Sequence, residues 1–205
     1  MARKKKYDVI VFDLGNTLIR FDHRIAARKL TRRFKRLDAQ KIYDAFFDSE
    51  ITRDFEKGLI TPREFHKRAM KLLGFKLPYH EFVELWNNIF WEDTHSCDIA
   101  RKLKKDYRVF LLSNVNRLHF EFITKKFPII KIFDEVVASF AIGSMKPEKK
   151  IYDHVVSKAR CDRSKILYID DRQDLITAAR RLGIDSIRFE GAEKLREKMC
   201  KIGVL

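Results

Sequence analysis

Six polar side chains in this 205-residue chain stand where apolar segments end or a helix is about to begin, and together they could bind and cleave an anionic ester. They are Asp13, Ser113, Asn114, Lys146, Asp170 and Asp171. Hydrolysis of a phosphate monoester needs a nucleophile in line with the leaving oxygen and positive charge near the phosphoryl oxygens. Asp13 can act as the nucleophile and Lys146 as the cation. Ser113 and Asn114 add a hydroxyl and an amide donor.

The segment before Asp13 has the pattern of a buried strand. Residues 9–12 are four apolar residues, three of them β-branched, which is typical of a strand covered on both faces of a parallel sheet. Gly15 and Asn16 follow and predict a turn that lets backbone amides approach an anion. Ligands bind at the carboxyl ends of strands in open α/β sheets, so the sequence predicts that Asp13 lies at a ligand-binding edge.

Strands and helices alternate in the second half of the chain. Predicted strands cover 108–112, 135–138, 166–169 and 185–189, and predicted helices cover 99–105, 117–126, 149–159, 175–182 and 192–201. This alternation predicts a doubly wound, parallel α/β sheet with helices on both faces. Ser113 and Asp170 then follow strands, at the same edge as Asp13. Pro147 disfavours helical geometry at Lys146, which is expected in an extended segment before a helix.

The stretch between Asp13 and these elements is predicted to be helical. Candidate helices cover 25–36, 39–48, 51–57, 62–73 and 80–90, after a hinge segment at 18–23. We expect an α/β core domain at 1–19 and 95–205, with an inserted helical cap subdomain at 20–94. Aromatic residues are expected to form the small core of the cap: Phe34, Phe46, Phe47, Phe55, Phe65, Phe75, Phe82, Trp86, Phe90 and Trp91.

Four motifs resemble those of the haloacid dehalogenase-like (HAD) hydrolase superfamily, in its phosphatase branch with a small helical cap. They lie at 12–17, 112–119, 145–147 and 168–171, the last followed by 178–183. The resemblance spans nearly the whole chain, from Tyr7 to about Phe189. The run Leu-Ser-Asn-Val-Asn-Arg-Leu-His at 112–119 is most similar to a branch that contains glucose 1-phosphate phosphatases. The resemblance implies a Rossmann-like core and hydrolysis of small phosphorylated metabolites through an aspartyl-phosphate.

The resemblance also implies roles for single residues. Asp13 would be the nucleophile, and Mg²⁺ would be held by Asp13, Asp171 and the backbone carbonyl of Gly15, with Asp170 as a partner behind them. The phosphoryl group and substrate would be bound by Ser113, Asn114, Lys146, Asn116 and Arg117.

Three further polar residues lie near these positions in the sequence. His119 is predicted to be a surface or helix-packing histidine, and His23 lies in the hinge beside Asp13, facing the entrance. Asp174 would either orient metal-bound water or stabilise the start of a helix.

Two positions depart from the usual HAD pattern. Most HAD phosphatases carry a second Asp, the general acid and base, where this chain has Gly15, and often an acidic residue or Asn where it has Leu175. General acid–base catalysis typically contributes roughly 10²–10⁴-fold. We favour a phosphatase whose leaving group needs little protonation, or whose proton comes from a cap residue or metal-bound water. The alternatives are a 2-haloacid dehalogenase and a protein that has lost catalysis and binds a phosphorylated ligand or a macromolecule.

The composition bounds the partners of the protein. The net charge of +15 is spread over many helices, which favours attraction of anionic substrates over a dedicated nucleic-acid surface. The densest basic segment, 24–36, is where nucleic acid would bind: Arg24, Arg28, Lys29, Arg32, Arg33, Lys35 and Arg36. No apolar run reaches the roughly 18 residues of a membrane-spanning helix. Three scattered cysteines form no disulfide framework, so we expect a cytoplasmic protein with no membrane partner.

Overall fold

The computed structural model describes residues 5–34, 38–46 and 49–205 of the chain. Its strands are β1 (Val9–Phe12), β2 (Ile19–Phe21), β3 (Phe90–Glu92), β4 (Arg108–Ser113), β5 (Glu135–Ala138), β6 (Ile166–Asp170) and β7 (Asp185–Arg188). Its helices are α1 (Arg24–Arg33), α2 (Ala39–Phe46), α3 (Glu50–Glu56), α4 (Pro62–Leu73), α5 (Tyr79–Asn87), α6 (Thr94–Leu103), α7 (Arg117–Lys126), α8 (Ser139–Ile142), α9 (Lys149–Ala159), α10 (Gln173–Arg181) and α11 (Ala192–Lys201). Short 3₁₀ turns lie at Pro128–Ile132 and Arg163–Lys165.

Five strands form a parallel sheet in the order β5-β4-β1-β6-β7, which confirms the predicted fold class. Strand β1 is central, and Phe12 lies beside Leu111 of β4 and Ile169 of β6. The carboxyl ends of these three strands therefore meet at one point of the sheet edge.

Side chains of β1 alternate between two buried clusters. Ile10 and Phe12 belong to a cluster that includes residues of α6, α7 and α11, such as Ala100. Val9 and Val11 belong to a second cluster that includes residues of α9 and α10. All four side chains are at most 1% exposed, because helices cover both faces of the sheet.

Helices α1–α5, which we call the helical insertion, lie in the chain between β2 and β3. These two strands pair antiparallel, with Ile19 opposite Glu92 and Phe21 opposite Phe90. The predicted hinge segment at 18–23 contains β2, and the hinge stays a prediction. The prediction of a helix reaching Phe90 was wrong, since α5 ends at Asn87. Each strand is only three residues long and pairs with a strand that is distant in the sequence. Neither is long enough to show a recognisable periodicity of apolar residues.

The helical insertion has its own apolar core. It comprises Ala27, Leu30, Ile42, Phe55, Phe65, Ala69, Leu77, Phe82 and Trp86, together with Leu118 from α7. The rings of Phe55 and Phe65 stack with their centroids 4.3 Å apart. Two predicted members lie elsewhere, since Phe90 packs against the cluster of the sheet and Trp91 is 48% exposed. The side chains of Phe46 and Phe47 lie outside the described part of the structure.

The helices begin and end at capping residues rather than where the periodic spacing of apolar residues begins and ends. Helix α4 has its predicted bounds, because Thr61 accepts a hydrogen bond from the Glu64 amide and Gly74 ends the helix at φ 70°. Helix α6 begins at Thr94, earlier than the predicted residue 99, because the Asp93 side chain accepts from the Ser96 amide at 3.1 Å. Helix α1 ends at Arg33, and Phe34 after it is not helical, so the predicted helix is too long by at least this residue. Residues 35 and 36 of the predicted helix lie outside the described ranges. None of the described helices is long and apolar enough to cross a membrane.

Candidate active site

Three of the predicted polar residues lie together at the ends of three neighbouring strands. Asp13 directly follows β1, Ser113 is the last residue of β4 and Asp170 is the last residue of β6. All three are buried, with Asp13 6% and Ser113 4% exposed. Because β1 lies between β4 and β6, Asp13 lies between Ser113 and Asp170 at the sheet edge.

Lys146 reaches this edge from the loop between α8 and α9. Its ammonium group donates to Asp13 Oδ1 at 2.6 Å, to Asp170 Oδ2 at 2.7 Å and to the Leu112 carbonyl at 3.2 Å. An ammonium group has three donor hydrogens, so these acceptors satisfy it. The side chain of Lys146 is 2% exposed, which makes this a buried ion pair whose loss would leave charge without a partner.

Burial and charge act against each other on these groups. Burial raises the pKa of Asp13 to about 7; the Lys146 ammonium opposes this rise and the negative charge of Asp170 adds to it. Burial lowers the pKa of Lys146, but the two carboxylates outweigh it, so the pKa is raised and the ammonium stays charged. Burial and Asp170 also raise the pKa of Asp171. The site therefore holds more negative charge than one lysine neutralises.

The donor set of the acidic cluster suits a hard divalent cation. Asp13, Asp170 and Asp171 each offer a carboxylate oxygen, and these atoms lie within 4.8 Å of one another. Mg²⁺ is usually held by one or two carboxylates, with water and substrate oxygens filling the remaining positions. Asp170 has three donors already, from Lys146, the Tyr168 hydroxyl and the Arg172 amide. Asp13 and Asp171 are therefore better placed to hold the ion directly, and Gly15 borders the same cleft.

Asn114 holds the loop that carries Lys146. Its Nδ2 donates to the Lys146 carbonyl at 2.9 Å, and its Oδ1 accepts from the Lys146 amide at 2.8 Å. Asn114 was predicted to bind the phosphoryl group, and the structure gives its amide a positioning contact as well. The prediction of an extended segment at Lys146 was wrong, since the residue lies in a turn whose bond to Pro147 is cis.

The next predicted residues divide between the cleft and the surface. Asn116 is 1% exposed and caps α7, since its Oδ1 accepts from the His119 amide at 3.0 Å. It borders the cleft, but its Nδ2 also contacts His119 Nδ1. Arg117 is exposed, with its guanidinium 5.6 Å from the Phe140 ring, and is not among the residues that line the cleft. The structure thus does not bring Arg117 to the predicted site.

His119 and His23 lie between the helical insertion and the sheet. His119 is buried, its Nε2 lies 3.1 Å from the Trp86 carbonyl, and its ring stacks on the Trp86 ring at 5.0 Å. His23 stacks on His119 with centroids 5.9 Å apart and lines the cleft. Burial lowers the pKa of His23 to about 3 and that of His119 well below its usual value. Both imidazoles are therefore neutral, which fits the predicted packing role of His119.

Asp174 and Leu175 open helix α10 beside the acidic cluster. Asp174 lies in the first turn and pairs with Arg172 at 2.7 Å, and it is not among the residues that line the cleft. Leu175 is 2% exposed and lines the cleft with an apolar side chain. Of the two roles predicted for Asp174, the geometry favours stabilising the start of the helix.

The helical insertion contributes cleft residues that the sequence did not predict. The cavity above Asp13 has a volume of about 320 Å³, and Thr52, Arg53 and Glu56 of α3 line it together with Trp86 of α5. Residues 52, 53 and 56 have the spacing of one helical face. A polar helical face is usually solvated, so this spacing alone could not have singled them out.

Most of the described basic residues of the 24–36 segment have contacts within the chain. Arg28 pairs with Asp22 and Arg33 with Glu81, and the guanidinium of Arg24 lies over the ring of Tyr43. Lys35 and Arg36 lie outside the described residues. The expectation that the chain has no dedicated nucleic-acid surface, with this segment as the place where nucleic acid would bind, stays a prediction.

Known proteins resemble this chain over nearly its whole length. D-ribitol-5-phosphate phosphatase from Bacteroides thetaiotaomicron is 27% identical over 200 residues, covering 94% of this chain and 97% of that protein. The crystal structure of a HAD family enzyme from the same species superposes with a TM-score of 0.82 at 26% identity, covering 93% of this chain and 99% of that one.

A structure of that enzyme in complex with magnesium and inorganic phosphate has a TM-score of 0.78 at 29% identity, covering 89% and 93% of the two chains. The family model of the haloacid dehalogenase-like hydrolases matches residues 7–183. Together with the four motifs and the parallel sheet, this match shows that the chain belongs to the haloacid dehalogenase-like hydrolase family.

Proposed function

We propose that the chain is a Mg²⁺-dependent phosphatase of small phosphorylated sugars or sugar alcohols, with Asp13 as the nucleophile. The observation that carries the proposal is the position of the Lys146 ammonium, 2.6 Å from Asp13 and 2.7 Å from Asp170, beside the third carboxylate of Asp171. A nucleophilic carboxylate, a fixed cation and a divalent-cation site are the parts that phosphoryl transfer needs.

The nucleophile is oriented before substrate binds. Lys146 holds Asp13 by Oδ1, and Asn114 in turn holds the backbone of Lys146, so the carboxylate has one orientation in the cleft. Attack of Asp13 on phosphorus forms an aspartyl-phosphate, which water then hydrolyses. Ser113, at the end of the adjacent strand, supplies a hydroxyl donor to the phosphoryl oxygens.

Asp13, Asp171 and the carbonyl of Gly15 would hold the Mg²⁺ ion, with Asp170 behind them. When bound, the ion supplies positive charge that offsets the repulsion between the carboxylate and the phosphate. Lys146 supplies the remaining positive charge, which is fixed by its contacts to Asp13 and Asp170.

The cleft suits a small polyhydroxylated leaving group. A volume of about 320 Å³ accommodates a small metabolite, and the lining combines the Trp86 ring with the polar residues Thr52, Arg53 and Glu56. Such a lining can hydrogen-bond hydroxyl groups while the aromatic face covers C–H groups. The D-ribitol-5-phosphate phosphatase acts, by its name, on a phosphorylated sugar alcohol, which supports this choice of substrate class.

The acidic cluster also bears on the alternatives. A dehalogenase needs no metal. Three carboxylates within 4.8 Å of one another would then repel one another with only one lysine to offset their charge. A protein that only binds phosphate would likewise gain nothing from a buried nucleophile held in one orientation. Both arguments favour the phosphatase.

The test is hydrolysis of p-nitrophenyl phosphate with and without Mg²⁺, comparing the wild type with Asp13→Asn. Its acidic leaving group needs little protonation, so the glycine at position 15 should not mask a working nucleophile. We expect Mg²⁺-dependent turnover that vanishes in Asp13→Asn. A panel of sugar and sugar-alcohol phosphates then tests the substrate class. Full turnover by Asp13→Asn, or halide release from 2-haloacids in the presence of EDTA, would overturn the proposal.

A further inference from the structure

The leaving alcohol of a sugar or sugar-alcohol phosphate needs a proton, and position 15 cannot supply it. Gly15 has no side chain, and a Cβ placed there would lie 2.8 Å from Cε1 of Phe21 in β2. The ring of Phe21 thus fills the space that a side chain at position 15 would enter. Position 15 therefore offers no proton donor, and any side chain that donates a proton must belong to another element.

One carboxylate that lines the cleft, that of Glu56, does not belong to the acidic cluster. Two adjoining spaces border Gly15 and Ser113, one of about 320 Å³ and one of about 60 Å³. Among the residues that the structure describes, Glu56 is the only carboxylate lining both spaces. His23 also lines both, but burial lowers its pKa to about 3, so it carries no proton that it can readily donate.

Glu56 is fixed to the sheet although it belongs to the helical insertion. The Ser139 hydroxyl donates to the Glu56 carbonyl at 2.6 Å and accepts from the Val115 amide at 2.9 Å. Val115 follows Ser113 by two residues, and Ser139 is fully buried. One hydroxyl therefore joins the last residue of α3 to the loop that follows the Ser113 strand.

Two neighbouring residues hold the same end of α3. A Cβ at Gly58 would lie 2.2 Å from the Phe140 carbonyl oxygen, so only glycine lets these two backbones approach so closely. Lys57 pairs with Glu148 at 2.5 Å, and Glu148 also accepts from Ser144 in the loop that carries Lys146. The C-terminal end of α3 is thus tied to the loop after β4 and to the segment between β5 and α9 that carries Lys146.

We propose that Glu56 is the catalytic acid and base of this enzyme, an inference that rests on the proposed function. As Asp13 forms its bond to phosphorus and the bond from phosphorus to the leaving oxygen breaks, the Glu56 carboxyl group gives its proton to that oxygen. The alcohol leaves, and Glu56 is a carboxylate. Glu56 then takes a proton from water as the water oxygen bonds to phosphorus and the bond to Asp13 breaks. Inorganic phosphate forms, and both residues regain their starting states.

The experiment compares Glu56→Gln with the wild type on two substrates that differ in the leaving group. On an alkyl phosphate such as a sugar-alcohol phosphate, loss of the acid should lower kcat by about 10²–10⁴-fold. On p-nitrophenyl phosphate, the first step should stay near the wild-type rate, because nitrophenolate leaves without a proton. Loss of the base slows the second step, so a burst of one nitrophenolate per enzyme should appear, with a phosphoryl group retained on Asp13 and detectable by mass spectrometry.

The control is Glu50→Gln, which changes an exposed carboxylate on the same helix and should behave as the wild type on both substrates. Glu56→Asp keeps the carboxyl group but withdraws it by one methylene, and should lose less activity on the alkyl phosphate than Glu56→Gln. If Glu56→Gln does not fold, the same comparison of leaving groups is made with Glu56→Asp.

Equal losses on both substrates without a burst, or no loss on either, would overturn the role of Glu56. That result would leave the phosphatase intact as long as the wild type is active and Asp13→Asn is not. An inactive wild type, or an active Asp13→Asn, would instead overturn the proposed function.

Discussion

The side chain of Asn114 and the backbone of Lys146 form a closed pair of hydrogen bonds, at 2.9 Å and 2.8 Å. The pair joins the end of β4 to the loop before α9, two segments that are distant in sequence. It fixes the backbone from which the buried lysine extends to Asp13. The position of the Lys146 ammonium therefore depends on an amide that the sequence suggested only as a phosphate ligand.

This pairing predicts the effect of Asn114→Ala. Without the amide the loop loses both bonds, and the ammonium of Lys146 should shift relative to Asp13. Misplacement of a catalytic group by about 1 Å can cost on the order of 10²-fold in rate, so kcat/KM should fall by about that factor. Asn88→Ala, at an exposed position that ends α5, is the control and should keep full activity. Unchanged kinetics in Asn114→Ala would contradict the positioning role.

Replacement of Lys146 by Met should destabilise the protein, because it leaves two buried carboxylates without their cation. Breaking a buried ion pair typically costs about 3–5 kcal/mol in the free energy of unfolding. Burial already raises the pKa of Asp13 to about 7. A carboxyl group whose pKa is raised in the folded state stabilises the fold at low pH, and this contribution is lost as the pH rises through the raised pKa. The deficit against wild type should therefore be larger at pH 8 than at pH 5.

Urea denaturation at the two pH values measures this deficit. The control is Lys149→Met, which removes an exposed lysine paired with Asp153 and should cost no more than about 1 kcal/mol. A deficit for Lys146→Met that does not change with pH would argue against the raised pKa of Asp13.

His23 predicts a loss of stability in acid. Burial lowers its pKa to about 3 in the folded protein, against about 6.5 in the unfolded chain. Below pH 6.5 the unfolded state binds more protons than the folded state. The free energy of unfolding therefore decreases as the pH is lowered, by at most about 1.4 kcal/mol per pH unit for one group. In His23→Gln this slope should be smaller between pH 6 and pH 4, whereas His80→Gln, at an exposed position, should keep the wild-type slope.

The contact between Gly15 and Phe21 predicts coupling between the two positions. Gly15→Ala places a methyl group 2.8 Å from the ring, an overpacking that should cost about 1–3 kcal/mol in the free energy of unfolding. In the background of Phe21→Leu the same change should cost less, because the ring edge is gone. A double-mutant cycle by urea denaturation measures the coupling. Equal costs in both backgrounds would mean that Phe21 does not close this space.

Magnesium should stabilise the folded protein if the three carboxylates bind it. A ligand at a hundredfold excess over its Kd adds about 2.7 kcal/mol to the free energy of unfolding, and EDTA should remove that gain. Asp171→Asn should abolish most of the effect, whereas Asp174→Asn should retain it, because Asp174 pairs with Arg172 outside the acidic cluster. A thermal shift that is the same in both variants would place the ion elsewhere.

The sequence by itself determined the parallel sheet and the residues at its edge. The buried pattern of residues 9–12 and the polar side chains after the strands were enough to bring Asp13, Ser113 and Asp170 together, because parallel strands end at one edge. Helices with strong caps, such as α4, were also predicted to the residue. These features are local, since they depend on periodicity and on neighbours within one turn.

Only the tertiary structure decided how the helical insertion meets the sheet. The β2–β3 pair, the Ser139 bridge to Glu56 and the stack of His119 on Trp86 each join residues far apart in the chain. A polar residue on a helix has the same local sequence pattern whether it faces solvent or a cleft. The sequence of α3 therefore did not indicate that this helix lines the cleft. The departure at Gly15 was visible in the sequence, but the ring of Phe21 beside that position is a neighbour that only the tertiary packing supplies.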